Sequence, residues 1–263
     1  KTLKYNTKMH LFILIGVAWG WNYQGQDSWQ ESCQQGDQSP VNVNKEGADN
    51  LDSDDSMKMV LLGETTSWKV ENTGNMIRVH ADLGYIEVGQ NEDKRQFNVR
   101  FLEFHVPSEH QFDGVEFPME LQAVMEVEDK HWERDKANMA VLSVIIKAGK
   151  ENYFLNTLQV WELPGPENSL YLKNSSNINL RELVWNTDEY YFYKGSATHP
   201  DYDCRTDVLW FVIEDIKEAK DWQIDQFTQL FPEGNSRKVQ REDPTVYYSS
   251  AVVLVASIGL LIL

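Results

Sequence analysis

Two short apolar segments of this chain each carry a pair of polar side chains that could do chemistry. In residues 101–106 (FLEFHV), Glu103 and His105 stand two apart, and in residues 119–125 (MELQAVM), Glu120 and Gln122 do the same. Residues two apart on a strand point to one face of the sheet, so each pair shares a face. Residues 107–118 between them hold two prolines and Asp113-Gly114, so 101–126 reads as two antiparallel strands joined through a hairpin. A carboxylate, an imidazole and an amide converging on an apolar sheet face form a metal site or the remains of one.

The run His105, Pro107-Ser108-Glu109-His110, Asp113-Gly114, Phe117, Met119-Glu120-Leu121 resembles the central motif of the α-class carbonic anhydrases. That motif reads H-x-H, S-E-H, D/N-G and E-L-H, and its three histidines bind zinc. Here the ligand positions hold Glu103, His105 and Gln122. Further stretches resemble the family in its own order: residues 19–29 (WGWNYQGQDSW), Gln38-Ser39-Pro40-Val41-Asn42-Val43, Asn72-Thr73-Gly74-Asn75, residues 138–147 (NMAVLSVIIK), residues 190–200 (YYFYKGSATHP), residues 208–212 (VLWFV) and residues 234–240 (GNSRKVQ). The resemblance spans residues 19–240. It implies a mainly β fold: a single domain around a large, twisted, mostly antiparallel sheet of about ten strands, with short surface helices.

Roles follow from the resemblance position by position. Thr198 and Glu109 occupy the places of the pair that orients zinc-bound hydroxide. Val124, Val141 and Trp210 belong to the carbon dioxide pocket. Asn75 stands where a histidine commonly shuttles protons, and an amide cannot titrate near neutral pH. His199 replaces a second threonine and reads either as a substitute ligand or shuttle, or as a solvated loop histidine. Cys33 and Cys204 fall where extracellular members form a disulfide.

Three neutral imidazoles leave zinc its full charge and bring bound water to a pKa of about 7. Glu103 would cancel part of that charge, and Gln122 offers only an amide oxygen. Two functions are therefore expected. One is an inactive or strongly impaired carbonic-anhydrase-like module with no cofactor. The other is a Zn2+-dependent carbonate dehydratase using an unusual Glu103/His105/Gln122 site.

The 263 residues are 41% hydrophobic, enough for one sizeable core, and the net charge of −17 speaks against nucleic acid as a partner. Residues 1–18 combine a basic leader with an apolar run of about ten residues, which reads as a signal peptide or as a buried helix or strand. The domain is expected over residues 19–243. Residues 246–263 are apolar and uncharged, with Tyr247 and Tyr248 at their entrance. They read as a transmembrane helix, with a lipid-anchor signal as the alternative. Asn174 begins a glycosylation sequon. Together these features lead us to expect a membrane-anchored domain in an oxidising, extracytoplasmic compartment, with a protein partner or membrane assembly. The cell surface, the secretory lumen and an organelle such as the mitochondrion all fit.

Overall fold

The structure, a computed structural model, describes residues 20–51, 57–60, 65–89, 94–127, 137–184 and 189–249. Its first strands are β1 (Asn42–Val43), β2 (Asp49–Asn50), β3 (Met57–Val60), β4 (Thr65–Asn72), β5 (Ile77–His80) and β6 (Tyr85–Val88). The central ones are β7 (Arg95–His105), β8 (Gln111–Phe112), β9 (Val115–Glu116), β10 (Met119–Val127) and β11 (Met139–Ala148). Last come β12 (Ser169–Ile178), β13 (Tyr190–Ser196), β14 (Thr206–Ile213), β15 (Lys217–Ala219) and β16 (Tyr247–Ser249). Two short α-helices, α1 (Tyr153–Thr157) and α2 (Asp221–Thr228), lie among several 3-10 turns.

Thirteen strands form one mixed sheet, whose main path runs β12-β4-β5-β7-β10-β11-β14-β13-β16-β2. Most ladders are antiparallel, whereas β11 pairs with β14 and β15, and β16 with β2, in parallel. The main path has the ten strands expected, and β3, β6 and β15, which pair off it, bring the sheet to thirteen.

Two cores lie on opposite faces of the sheet. On β10, Met119, Leu121, Ala123 and Met125 enter the larger core, while Val124 enters the smaller one with Val141, Tyr193 and Trp210. Strand β11 is buried on both faces from Met139 to Ile146, as a run that is apolar but for Ser143 requires.

Strand β7 changes phase. Phe97 and Val99 face the larger core, but so do Leu102, Phe104 and Val106. The switch occurs at Arg100, which is skipped in the pairing: Val124 faces Phe101, and Met125 faces Val99. A single bulged residue moves every following side chain to the other face. Without it, Glu103 and His105 would point into the larger apolar core.

The C-terminal boundary differs from the sequence expectation. Val246 is buried, and β16 pairs with β13 and β2, so the domain runs to Ser249 rather than ending near Asp243. Tyr247 and Tyr248, read as interfacial aromatics, instead pack on the sheet against Phe192 and Tyr191. The Tyr248 hydroxyl also donates to Glu214 Oε2 at 2.6 Å. An apolar run cannot be told from a sheet strand by hydropathy alone. Residues 250–263, the remainder of the expected span, lie outside the described residues, as do residues 1–19. Among the described residues no helix is long and apolar enough to cross a membrane.

Candidate functional site

Register carries the polar residues into one row across the sheet. Arg78 on β5 lies opposite Glu103 on β7, Glu103 opposite Gln122 on β10, and Gln122 opposite Ser143 on β11. His105 faces Glu120 one step along. Glu103, His105, Glu109, Glu120, Gln122 and Ser143 are all buried, so each must find its hydrogen bonds inside the protein.

Glu120 is the most heavily bonded. Its Oε2 accepts the backbone N–H groups of Glu109 and His110, both at 2.8 Å. Its Oε1 accepts from Ser143 Oγ at 2.8 Å and from His110 Nδ1 and Gln122 Nε2 at 2.9 Å. Burial alone would raise the Glu120 pKa, but His110 and these N–H donors bring it down to about 2. Gln122 Nε2 also donates to Glu109 Oε2 at 2.8 Å. An atom lying between two carboxylates must be the donor, so the amide orientation of Gln122 is fixed.

His105 is fixed from the other side. Its Nδ1–H donates to the Asn235 carbonyl at 2.9 Å, because a carbonyl can only accept. Its Nε2 is buried without a hydrogen-bond partner. Burial favours the neutral ring, yet the carboxylates of Glu109, Glu103 and Glu120 outweigh it and raise the His105 pKa. Asn235 forms the matching hub, accepting from Val106 N–H and donating to the carbonyls of Phe104 and Asn75.

Glu103 faces a cation rather than the interior network. Arg78 donates to its Oε1 through Nη2 at 2.6 Å and Nε at 2.9 Å. His199 Nε2 lies 3.4 Å from its Oε2. Burial would raise the Glu103 pKa, but His199, Arg78 and His105 together depress it to about 2. Asp201 extends this cluster, 3.6 Å from Arg78 and bonded by the Trp21 indole N–H at 2.6 Å. Trp21 stacks on His199 with ring centroids 5.3 Å apart.

A model of the eukaryotic-type carbonic anhydrases matches residues 24–245. The chain belongs to that carbonic anhydrase family. It is 29% identical over 230 residues to a carbonic anhydrase of Neisseria gonorrhoeae, covering 84% of each chain. It is also 29% identical over 237 residues to one from a Nostoc species, covering 85% of this chain and 83% of that one. Among solved structures, the α-carbonic anhydrase of Thermovibrio ammonificans in complex with sulfanilamide superposes with a TM-score of 0.65 at 28% identity, covering 81% of this chain and 86% of that one.

Against a three-histidine carbonic anhydrase, the structure places each expected residue as follows. Glu103, His105 and Gln122 come together on one face, and His105 keeps its Nε2 without a hydrogen-bond partner. Val124, Val141 and Trp210 line the smaller core beside them. Glu109 accepts from Arg237 N–H at 2.9 Å and from Gln122. Among the described residues no hydrogen bond joins it to Thr198, which is buried in the loop after β13. Asn75 holds the Trp21 carbonyl through Nδ2 at 2.9 Å and so secures the N-terminal segment. His199 is buried, so the solvated-loop reading fails; its neighbours are Trp21, Glu103 and Tyr202.

Cys33 and Cys204 form the disulfide, with Cα atoms 4.9 Å apart, as an oxidising compartment would allow. Asn174 lies in β12, in a stretch whose side chains fall outside the described residues.

Sequence reasoning missed Arg78 and gave no role to Trp21, Asn235 and Arg237 within the stretches it singled out. For Arg78 a signal was present, a cation between the buried Ile77 and Val79 on a strand of alternating burial. Finding its partner required the register between β5 and β7.

Proposed function

We infer that this carbonic anhydrase domain does not hydrate carbon dioxide at a rate useful to a cell and acts as a binding or structural module. The observation that carries the reading is the commitment of the donor atoms. Glu103 Oε1 is held by two Arg78 N–H groups, and Gln122, turned so that its Nε2 donates to Glu109 and Glu120, has only a weakly ligating amide oxygen to offer. Catalytic zinc needs three protein donors, and the residues as arranged do not supply them. Among the described residues, no group of three His, Cys, Asp or Glu side chains is placed to hold a metal ion. The amide at Asn75 removes the proton shuttle independently.

The preserved network has a structural explanation. Breaking one member of a buried, fully bonded set leaves the others unsatisfied, at about 1–3 kcal/mol per group. Selection for folding alone would keep Glu109, Glu120 and His110. As a module, the domain has a membrane for one partner through its apolar C-terminal residues and a protein or membrane assembly for another, with no part for nucleic acid. Glycosylation at Asn174 and a cleaved leader belong to the same picture.

The competing reading is a zinc-dependent carbonate dehydratase at Glu103, His105 and Gln122. One observation favours it: His105 donates Nδ1–H to a backbone carbonyl, as metal-binding histidines do, leaving Nε2 unpartnered.

The test is elemental analysis of the full chain after dialysis against trace zinc, together with stopped-flow carbon dioxide hydration. We expect little zinc and no hydration above the uncatalysed rate. Near-stoichiometric zinc with hydratase activity would reverse the assignment. Glu103→His combined with Gln122→His is expected to gain both.

A further inference from the structure

Trp21, which stacks on His199 at the edge of the buried site, also lines a second, open cleft formed by residues 20–30 and Pro200. The volume of the cleft is about 620 Å³, within the roughly 300–1,000 Å³ usual for small-molecule sites. Its aromatic walls are Trp21 and Trp29, whose ring centroids are 5.4 Å apart and whose planes meet at 85°. Both indole N–H groups are already bonded, Trp21 to Asp201 at 2.6 Å and Trp29 to the Asn22 carbonyl at 2.8 Å. The two walls therefore present only carbon to a ligand.

Polar groups with capacity to spare border the same space. Asn22 Oδ1 accepts the Gly25 N–H, and its Nδ2 has no protein partner among the described residues. Gln30 Nε2 donates to Asp203, which leaves Oε1 to accept. The Ser28 hydroxyl donates to the Gly25 carbonyl and keeps its lone pairs. No charged side chain is among the residues lining the cleft.

A ligand that matches this lining has a carbon-rich face, hydroxyl groups at its edge and no charge. A bare aromatic ring would stack on the tryptophans but strip water from Asn22, Ser28 and Gln30 without replacing its hydrogen bonds. An anion would find no cation in the lining and would meet Asp201 and Asp203, which are bonded to Trp21 and Gln30. A pyranose ring meets all three conditions, since its C–H bonds offer a weakly positive face to the negative face of an indole.

We propose that this cleft is a carbohydrate site, in which a hexopyranose ring stacks against Trp21 and Trp29 and exchanges hydrogen bonds with Asn22, Ser28 and Gln30. The proposal goes beyond the non-catalytic reading and does not depend on it, because none of these residues occupies a zinc-ligand position. A free sugar and the terminal unit of a glycan share this chemistry.

The full chain is titrated with the methyl glycosides of glucose, galactose, mannose and N-acetylglucosamine, read by saturation-transfer-difference NMR and calorimetry. A glycoprotein bearing high-mannose and complex glycans, immobilised before and after enzymatic deglycosylation, tests attached sugar. At least one glycoside is expected to bind with a Kd on the order of 1 mM, with saturation strongest on ring C–H protons that the indoles shift upfield. Gly20→Trp should weaken binding by more than about tenfold, because a side chain at Gly20 enters open space and would fill the cleft. Gln30→Leu, at an exposed position, should weaken it about fivefold, the loss of one hydrogen bond. Should Gly20→Trp fail to fold, Gln30→Leu carries the test.

Binding to the glycoprotein that disappears on deglycosylation supports the site with a glycan as its ligand, and binding of the glycosides alone supports it with a free sugar. No sugar bound at concentrations up to about 50 mM overturns the proposal. So does a sugar that both variants bind as well as the native chain, or a cleft that takes phenol while rejecting every glycoside.

Discussion

Two parts of the site, the inner network around Glu120 (its floor) and the outer cluster around Glu103, Arg78 and Asp201 (its rim), are built on different principles, although one strand, β7, contributes to both. On the floor, Glu120 accepts five hydrogen bonds from four residues within a closed network. At the rim, Glu103 is balanced by Arg78 and His199 in a chain of ionic and ring contacts that reaches Asp201 and Trp21. The floor depends on hydrogen-bond geometry and tolerates little change. The rim depends on charge balance, so its residues can be exchanged as long as the charges still cancel. That difference explains why the floor motif is so readable in the sequence while the rim has been rewritten.

The largest effect should come from the disulfide, which ties the segment following Trp21 to the loop bearing His199. Cys33→Ser with Cys204→Ser should lower stability by about 5 kcal/mol in denaturant unfolding, on the chain-entropy argument for so long a loop. Hydrogen exchange should rise around Trp21 and His199 and stay slow in β7 and β10. Equal loosening of both would erase the distinction between rim and floor.

Glu120→Gln comes next. It leaves donors facing one another in a buried space and should cost about 3 kcal/mol. Urea melts of the variant measure this, and a change below 1 kcal/mol would show that the floor is not the rigid part.

Acid sharpens the same contrast. Both Glu103 and Glu120 titrate near 2 in the fold, against an ordinary value of 4.5. A depressed carboxylate contributes stability that is fully present above the ordinary value and is lost as pH falls through the folded one. Unfolding free energy should therefore drop between pH 4.5 and about 2, and Glu120→Gln should make that limb shallower. His105 has the opposite sign. Its pKa is raised, so its contribution is present below 6.5 and is lost at higher pH.

Asn75→Ala should cost about 1 kcal/mol, the worth of its bond to the Trp21 carbonyl. Asp201→Asn, at a half-exposed position, should change stability by less than about 0.5 kcal/mol. Both are read from thermal melts.

Much of the floor was legible because strands have a period of two. The spacing of Glu103 and His105, and of Glu120 and Gln122, sets their shared face regardless of the rest of the chain. The rim was not legible for a matching reason. Arg78 and Glu103 are 25 residues apart and meet only through the register of β5 on β7, which no local pattern encodes. The bulge at Arg100 is equally invisible, since nothing in the sequence RQFNVRFLEFH marks the residue that is skipped. Strand β16 shows the limit of composition. Val246 and the tyrosines after it are as apolar as a membrane entrance, and only their partners on β13 and β2 make them part of the sheet.

That last strand also sets how the domain would respond to mechanical load. Force applied to the chain beyond Ser249 first meets the short ladders of β16 and the bond between Tyr248 and Glu214. In the sheet order, β16 stands five strands from β7, roughly 24 Å at the usual strand spacing. A pull there would peel this edge long before it strained the site, so the edge would act as a mechanical fuse that isolates Glu103 and its neighbours from the load.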